Sequence, residues 1–367
     1  MRRWFGLPRR LMSFLTLFLL VVGLTAACQP SGTESDLPIS GEVSLTGLGA
    51  TFPAPLYQNW AVGLNQIHPN IRVDYQSQGS GAGIENFLQG NVDFAASDVA
   101  LKDEDITKVE RGVLLLPMTA GSIVVAYNLP GVQNGLKLSR DVYVGIFSGQ
   151  IRRWNDPKIV ALNPGVTLPD QPITVVHRSD GSGTTGVFTK HMSAISPQWK
   201  KDIGEGTTVQ WPKTGNFVGA RGNEGVTAQI QQTPGAVGYV EYGFAATNKL
   251  TVAALENKAG EYVLPTPESG AATLAAVELP ENLRAFILDP EGKESYPIVT
   301  FTWQLQYQKQ PDANKAVGLE VWIEYGLNEG QQTAPQLGYI PLPKVVRERI
   351  AKVADTLSDK YTITLKD

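Results

Sequence analysis

Arg178-Ser-Asp-Gly-Ser-Gly-Thr-Thr-Gly186 stands between a β-branched segment, residues 173–177, and a segment that can continue as a helix, residues 187–192. This order predicts a strand, a Gly/Ser/Thr turn and a helix that begins in the turn. The first amides of a helix lack intrahelical partners, and the helix dipole makes that end positive. The hydroxyl groups and the planar Arg178 guanidinium add further donors, so the turn predicts a binding site for an oxyanion.

Two nucleotide-binding interpretations compete with the oxyanion site. Residues 181–186 match the dinucleotide fingerprint G-x-G-x-x-G, and Asp202 or Glu205 follows at a plausible distance for a ribose carboxylate. However, Arg178 places a charge where a dinucleotide-binding turn has a tight glycine bend. A P-loop would end in Gly-Lys-Ser/Thr, whereas Val187 follows the last glycine here. The remaining alternative is a Ser/Gly-rich helix cap on the surface.

The same order of strand, glycine-rich turn and helix occurs twice more upstream. Residues 42–67 contain one example and residues 71–89 contain the next, and a short strand over residues 92–98 ends in Ser97 and Asp98. Open α/β sheets bind ligands at the carboxyl ends of their strands. Three helix starts are therefore expected to converge on one anion. Asp98 is the exception, an acceptor among donors, and the alternative is that it caps the next helix.

The first 27 residues are typical of a signal peptide. They contain four arginines, no acid and an apolar run that is short for a membrane span. Cys28, the only cysteine, follows small residues as in a bacterial lipobox, although Thr25 stands where leucine is usual. We therefore predict export, lipidation of Cys28 and a flexible tether over residues 28–40. The alternative is an ordinary signal peptide followed by an incidental cysteine.

The rest of the chain is acidic and is long enough for two domains. The whole chain has a net charge of −4, and removing the four N-terminal arginines leaves −8. An acidic protein is a poor nucleic-acid binder, so no nucleic-acid partner is expected. Any affinity for an anion must come from local dipoles and one or two charges.

The sequence gives little indication of a metal site or of a catalytic nucleophile. The three histidines, His68, His177 and His191, have no metal-like spacing. The last two are candidate bases for Ser182, but the Gly-x-Ser-x-Gly elbow of a nucleophilic serine is absent. No metal and no cofactor are expected. The tryptophans at 154, 199, 211, 303 and 322 are predicted to lie in the core, because no basic stripe accompanies them.

Four separated motifs resemble those of the periplasmic phosphate-binding proteins of phosphate ABC transporters. In chain order they are Gly47-Leu-Gly-Ala-Thr-Phe-Pro-Ala-Pro55, Gly79-Ser-Gly81, Val92-Asp-Phe-Ala-Ala-Ser-Asp98 and Arg178-Ser-Asp-Gly-Ser-Gly-Thr184. The resemblance continues through segments such as Gly145–Trp154, Gly222–Gly225 and Pro234–Tyr242, and covers nearly all of Gly41 to about Asn328. It departs at Gly81-Ala82, where a second serine is common, and in the loop over residues 213–220.

The resemblance implies an α/β fold, the type II periplasmic solute-binding protein fold, in which two lobes are joined by two crossover strands. Lobe I is expected to comprise residues 41–119 and 298–367, and lobe II residues 120–297. Residues 245–289 carry few motifs and are expected to fill out lobe II, with a face for the permease. An amphipathic helix is expected over residues 316–325.

The resemblance also implies site residues, with phosphate held in the cleft between the lobes. The expected phosphate donors are Thr51, Phe52 through its amide, Ser80, Arg178, Ser182, Gly183 and Thr184. Asp98 is expected to accept a hydrogen bond from the proton of phosphate. Asp180 is similar to the acid that holds the arginine in this family.

The expected function is specific binding of inorganic phosphate and its delivery to the permease subunits of an ABC transporter for import. The protein is expected to be a monomer that is anchored through Cys28 on the periplasmic side of the cell membrane. One alternative is a phosphatase or phosphotransferase, which would need a nucleophile or metals. Another is a receptor for sulfate or molybdate, and the carboxylate of Asp98 argues against it.

Overall fold

A computed structural model describes residue 1 and residues 37–366. The predicted signal peptide, the lipidation site at Cys28 and residues 28–36 of the predicted tether lie outside the described residues. Residues from Pro38 onward belong to one compact unit. None of the helices in the described part of the chain is both long and apolar enough to cross a membrane.

The described residues form twelve strands and thirteen α-helices. The strands are β1 (Val43–Gly49), β2 (Ile71–Ser77), β3 (Phe94–Ser97), β4 (Val113–Tyr127), β5 (Lys137–Leu138), β6 (Thr174–Arg178), β7 (Asn216–Ala220), β8 (Ala236–Glu241), β9 (Thr251–Val252), β10 (Ala254–Glu256), β11 (Tyr262–Val263) and β12 (Val299–Tyr307). The helices are α1 (Ala54–Ile67), α2 (Ser80–Leu88), α3 (Asp103–Ile106), α4 (Arg140–Phe147), α5 (Pro157–Leu162), α6 (Gly183–Ile195), α7 (Pro197–Asp202), α8 (Gly222–Gln232), α9 (Tyr242–Thr247), α10 (Pro267–Ala275), α11 (Ala313–Leu327), α12 (Glu329–Thr333) and α13 (Lys344–Ala354).

One continuous sheet contains nine of these strands, in the order β2-β1-β3-β12-β4-β8-β6-β7, with β9 beside β4. In the first half of the sheet, β1 is parallel to β2 and β3, and in the second half β6 is parallel to β7 and β8. The long strand β4 belongs to both halves. Its residues 113–122 pair with β12, whereas residues 123–127 pair with β8.

Two connections join the two halves of the sheet. Strand β4 carries the chain from the first half into the second, and the chain returns just before β12, where Ile123 N donates to Ile298 O at 2.9 Å. The pairing of β4 changes between Ser122 and Ile123, close to the predicted lobe boundary at residues 119 and 120. Residues 276–298, between α10 and β12, contain neither helix nor strand.

Most of the predicted core tryptophans are buried, but Trp211 is not fully so. Trp154, Trp199, Trp303 and Trp322 have at most 1% of their surface exposed. Trp211 is half-buried and stacks on His177, with ring centroids 4.9 Å apart. It lies in the loop between α7 and β7.

The helix expected to be amphipathic over residues 316–325 is buried on nearly all of its faces, so that prediction is wrong. The helix α11 runs from Ala313 to Leu327, and residues 316–323 are all buried. It contacts β1, α1 and α13, which cover it from several sides. Its one fully buried acid, Glu320, accepts a hydrogen bond from Ser358 N at 2.8 Å, and burial raises the pKa of its carboxyl to about 7.

Candidate functional site

Four helices begin where the two halves of the sheet meet. Helices α1 and α2 follow strands of the first half, and α6 and α8 follow strands of the second half. The sequence predicted three of these starts, and the start of α8 is the fourth. The halves touch directly, because Gly81 N donates to Gly181 O at 2.8 Å and Ser77 Oγ donates to Glu224 Oε1 at 3.1 Å.

The eight predicted ligand residues come together at this point, and we call them the cradle. The cradle consists of Thr51, Phe52, Ser80, Asp98, Arg178, Ser182, Gly183 and Thr184. All eight are buried, and the most exposed of them, Arg178, has 5% of its surface accessible. A buried set of polar groups on this scale is stable only when each group has a partner, so the hydrogen bonds decide what the cradle can hold.

Glycine makes the close approach of the two halves possible. Gly79 precedes α2 with a φ of +96°, and a Cβ atom there would lie 2.4 Å from an Asp180 carboxylate oxygen. A Cβ atom at Gly183 would lie 2.4 Å from Ser80 Oγ and 2.7 Å from Asp98 Oδ2. Both positions therefore exclude a side chain, and the backbone amides at these helix starts can face a ligand without obstruction.

The serine hydroxyls of the cradle each accept a hydrogen bond from a backbone N–H. Ser182 Oγ accepts from Thr185 N at 3.1 Å and thereby caps α6, while Ser80 Oγ accepts from Asp98 N at 3.3 Å. The amide of Ser182 donates to Thr207 O at 2.9 Å, so this residue can contribute only its hydroxyl proton. Because the oxygens already accept, both hydroxyl protons remain available to an anion.

Arg178 is held by one edge of its guanidinium. Nε and Nη2 donate to the two carboxylate oxygens of Asp180 at 2.8 and 2.5 Å, as the sequence predicted. Asp180 also accepts from Gly222 N at 3.1 Å. Burial acts to raise the pKa of Asp180, but these donors outweigh it and the pKa is lowered overall. Arg178 Nη1, which lies 3.5 Å from Thr184 Oγ1, is the edge that remains directed at the cradle.

Asp98 is the one acid in the cradle, and it is not the helix cap that the sequence left open. Lys102 occupies the cap position of α3. Asp98 Oδ1 accepts from Thr302 Oγ1 at 2.9 Å, and Oδ2 accepts from Thr184 Oγ1 at 3.4 Å. Burial raises the pKa of Asp98 to about 7, although Thr302, Arg178 and Thr184 act in the opposite direction. An acceptor of this kind fits a ligand that carries a proton.

Sequence reasoning missed two residues at the site. Asn223, at the start of α8, is buried, and its Nδ2 donates to Thr51 Oγ1 at 2.8 Å. Thr302, on β12, holds the carboxylate of Asp98. A signal for Asn223 was present, because it lies in the motif Gly222–Gly225 after a strand. Thr302 carries no such signal, since threonine is common in any β-branched strand.

Neither histidine that was considered as a base contacts Ser182. His191 Nε2 lies 3.0 Å from the Tyr143 hydroxyl, and His177 Nδ1 lies 2.9 Å from Arg178 O. Burial lowers the pKa of His191 to about 3, so this side chain is neutral at ordinary pH. Among the residues that the structure describes, no group of three or more His, Cys, Asp or Glu side chains is placed to hold a metal ion.

The fold and the converging helix starts are those of a known class of binding protein. The family model of the PBP superfamily domain matches residues 32–329. The chain is 40% identical over 312 residues to the phosphate-binding protein PstS of Pasteurella multocida. The matched region spans 84% of this chain and 88% of that protein. The chain belongs to the family of PstS phosphate-binding proteins.

Solved structures agree on the fold. A high-affinity periplasmic phosphate-binding protein bound with phosphate superposes with a TM-score of 0.70 at 22% identity, covering 84% of this chain and 93% of that chain. A protein from Clostridium perfringens, described as a phosphate ABC transporter substrate-binding protein with bound phosphate, gives a TM-score of 0.60 at 17% identity and covers 82% and 100% of the two chains. The family and the fold class expected from the four motifs are confirmed, whereas the roles of individual cradle residues remain predictions.

Proposed function

We propose that this protein binds inorganic phosphate in the cradle and delivers it to the permease of a phosphate ABC transporter for import. The observation that carries the proposal is the composition of the cradle, in which buried donors surround a single buried acceptor, Asp98. The PstS relatives are named for phosphate binding, and two structures of the same fold hold phosphate. Neither binding nor delivery requires that a bond of the ligand be broken.

Each cradle residue has a role in this proposal. Thr51, Ser80 and Ser182 donate hydroxyl protons, and the amides at Phe52, Ser80 and Gly183 donate N–H groups. Thr184 turns its hydroxyl proton from Asp98 to the ligand, and Arg178 supplies the positive charge. Phosphate near neutral pH keeps at least one proton and donates it to Asp98. Sulfate has no proton at this pH, so it would place two acceptors against each other in a buried site.

We further propose that the lobes are residues 41–119 with 298–367 and residues 120–297, and that phosphate closes them. The contacts between Gly81 and Gly181 and between Ser77 and Glu224 support this proposal, because they join the two halves around the cradle. A ligand that touches both lobes favours the closed state through contacts that the open state lacks. Phosphate is then expected to reduce the radius of gyration in solution scattering.

The location of the protein follows from its N-terminal sequence. We propose export by the signal peptide at residues 1–27, lipidation at Cys28, and attachment through residues 28–40 to the periplasmic side of the cell membrane, with the folded part acting as a monomer. Replacing Cys28 by serine is expected to release the protein from membranes. A Cys28→Ser variant that stays on washed membranes would contradict the anchor.

Calorimetric titration of the ligand-stripped protein tests the central part of the proposal. We expect tight binding of inorganic phosphate and weak binding of sulfate. Incubation with a phosphomonoester separates binding from catalysis, and we expect no turnover, since the hydroxyl of Ser182 caps α6 and neither histidine contacts it. Failure to bind phosphate, or turnover of the ester, would overturn the proposal.

A further inference from the structure

We infer that Asn223 is a positioning residue that directs the hydroxyl protons of Thr51 and Thr184 into the cradle and thereby strengthens anion binding. This inference rests on the proposed function, because it concerns how the same site presents its donors. Asn223 has no exposed surface and contacts both halves of the molecule. The direction in which the Asn223 amide faces decides to which groups it can donate.

The orientation of the Asn223 amide is fixed by a backbone donor. Its Oδ1 accepts from Glu241 N at 3.1 Å. A backbone N–H can only donate, so the amide oxygen must face Glu241 and the NH₂ group must face the cradle. Glu241 is itself held, because its side chain accepts from Gly243 N at 2.8 Å and caps α9. The amide of Asn223 therefore accepts a hydrogen bond at the end of β8 and donates hydrogen bonds towards the site.

The NH₂ group determines what Thr51 can do. Thr51 Oγ1 accepts from Asn223 Nδ2 at 2.8 Å and from Asn223 N at 3.2 Å. A hydroxyl group has two lone pairs and one proton. With both lone pairs occupied by Asn223, the proton is the part of the hydroxyl that remains for a ligand. Thr51 is thus held as a donor before any anion arrives.

The same NH₂ group contacts Thr184 in the second half of the molecule. Thr184 Oγ1 lies 3.4 Å from Asn223 Nδ2 and 3.5 Å from Arg178 Nη1, and both of these nitrogens can only donate. Its proton is directed at Asp98 Oδ2, 3.4 Å away. These contacts are longer than those of Thr51, so we expect the effect on Thr184 to be the smaller one. One side chain thereby orients a hydroxyl on each side of the cradle.

The consequence concerns anions that can only accept hydrogen bonds. A threonine hydroxyl that is free to rotate can present a lone pair to the ligand, and an oxyanion is repelled by it. Holding both hydroxyls as donors removes that orientation and leaves Asp98 as the acceptor of the site. Asn223 therefore strengthens the binding of an oxyanion without a contact of its own to the ligand being required.

The variant Asn223→Asp tests this inference cleanly. It has almost the same shape and keeps an oxygen for Glu241 N, but it cannot donate to the threonines and instead draws their protons away from the ligand. We expect calorimetry with inorganic phosphate to show at least about a hundredfold weaker binding at pH 8. Asn223→Ala, which leaves the hydroxyls free to rotate, is expected to weaken binding by roughly tenfold.

A double-mutant cycle with Thr51 separates positioning from general structural damage. If Asn223 acts through the Thr51 hydroxyl, Asn223→Ala should cost less than about threefold when Thr51 is already valine, because the hydroxyl it orients is gone. Asn163 provides the control. It is also buried in the second half, and its amide bonds to Lys137 and Ile159 and has no part in the cradle. Asn163→Ala should lower the melting temperature and leave the phosphate dissociation constant unchanged.

The outcomes distinguish this inference from the proposed function. Wild-type binding of phosphate together with a large coupling between positions 223 and 51 supports the inference. Wild-type binding together with equal costs of Asn223→Ala in both backgrounds, or with unchanged affinity in Asn223→Asp, overturns it and leaves the function intact. Absence of phosphate binding by the wild-type protein overturns the function and the inference together. Melting curves on each variant establish that it is folded.

Discussion

The cradle and a second segment, residues 277–294, both connect the two halves of the molecule, but they do so with different chemistry. We call residues 277–294 the strap. The cradle uses short, buried polar groups, most of them at helix starts. The turns that carry these groups are built locally, and Asn223 and Thr302 hold Thr51 and Asp98 from other elements. The strap has no helix or strand and is attached by long cationic side chains from distant elements. The difference separates the part of the structure that we propose to select a ligand from a part that holds the halves together.

The strap contacts the first half at three places along its length. Arg349 of α13 donates to Leu279 O at 2.5 Å and to Pro280 O at 2.7 Å. Arg284 pairs with Asp103 of α3 at 2.6 Å, and Trp303 Nε1 donates to Leu283 O at 2.9 Å. The bonds to the carbonyls of Leu279, Pro280 and Leu283 do not depend on which side chains the strap carries, whereas the ion pair depends on Arg284 of the strap.

The strap then contacts the second half. Lys190 of α6 lies over the ring of Phe286 at 4.0 Å, Arg140 of α4 pairs with Asp289, and Lys258 pairs with Glu291 at 2.5 Å. Leu283 and Asp289 have φ values of +57° and +44°, which residues other than glycine rarely adopt. The long-range contacts therefore hold the strap in a backbone conformation that its own sequence does not favour.

Among the substitutions that compare the cradle with the strap, the largest expected effect on phosphate binding is at Arg178. It supplies the positive charge among buried dipoles, and losing a charge-assisted pair at a desolvated site typically costs about 2–5 kcal/mol. Arg178→Ala should therefore weaken phosphate binding by roughly 30-fold or more, measured by calorimetry. Asp180→Asn is the matched control, since it loosens the arginine without removing the charge, and it should cost less. An unchanged dissociation constant in Arg178→Ala would place the site elsewhere.

The next expected effect is on the pH dependence of the unfolding free energy of the ligand-stripped protein. The Asp98 carboxyl has its pKa raised to about 7 by burial, so its contribution to stability is present at low pH and is lost as the pH rises from about 4 to 7. Asp98→Asn removes this loss and should raise the unfolding free energy at pH 8, relative to wild type, by up to about 4 kcal/mol. Urea denaturation of both proteins at pH 5 and pH 8 measures this difference in unfolding free energy.

The direction in which the unfolding free energy changes with pH tests this prediction. Other buried acids, such as Glu241, are shared by both proteins, so the difference between the two denaturation series isolates Asp98. Wild type and Asp98→Asn should differ less at pH 5 than at pH 8. If the difference is equal at both pH values, the Asp98 carboxyl does not titrate with a raised pKa in the folded protein.

The smallest effect on binding is expected in the strap. Arg349→Met removes two hydrogen bonds to strap carbonyls and should lower the unfolding free energy by about 1–2 kcal/mol. It should also speed proteolysis within residues 277–294 while leaving the phosphate dissociation constant within about threefold, because no cradle group changes. Lys352→Met, an exposed position on the same helix, is the control. A tenfold loss of phosphate affinity in Arg349→Met would show that the strap is part of the binding site.

This comparison also explains what could be predicted from the sequence. Turns such as the one at residues 178–186 are predictable because the glycines and the helix start determine the geometry locally. Asn223 was missed because its importance comes from contacts with Thr51 and Glu241, which are far away in the chain. The strap was missed for the same reason, since Arg349 and Arg140 reach it from distant helices. The prediction for α11 was wrong for a similar reason, because the elements that cover this helix on several sides come from distant parts of the chain.

Competition between phosphate and sulfate, measured on wild type and Asp98→Asn at pH 8, tests the central claim most directly. We predict that wild type prefers phosphate by at least about 10³, because sulfate would press an acceptor against a buried carboxylate. Asp98→Asn should lose this preference mainly by gaining sulfate, since the amide removes the repulsion and can donate. The claim is contradicted if wild type binds sulfate within tenfold of phosphate, or if Asp98→Asn rejects sulfate as strongly as wild type does.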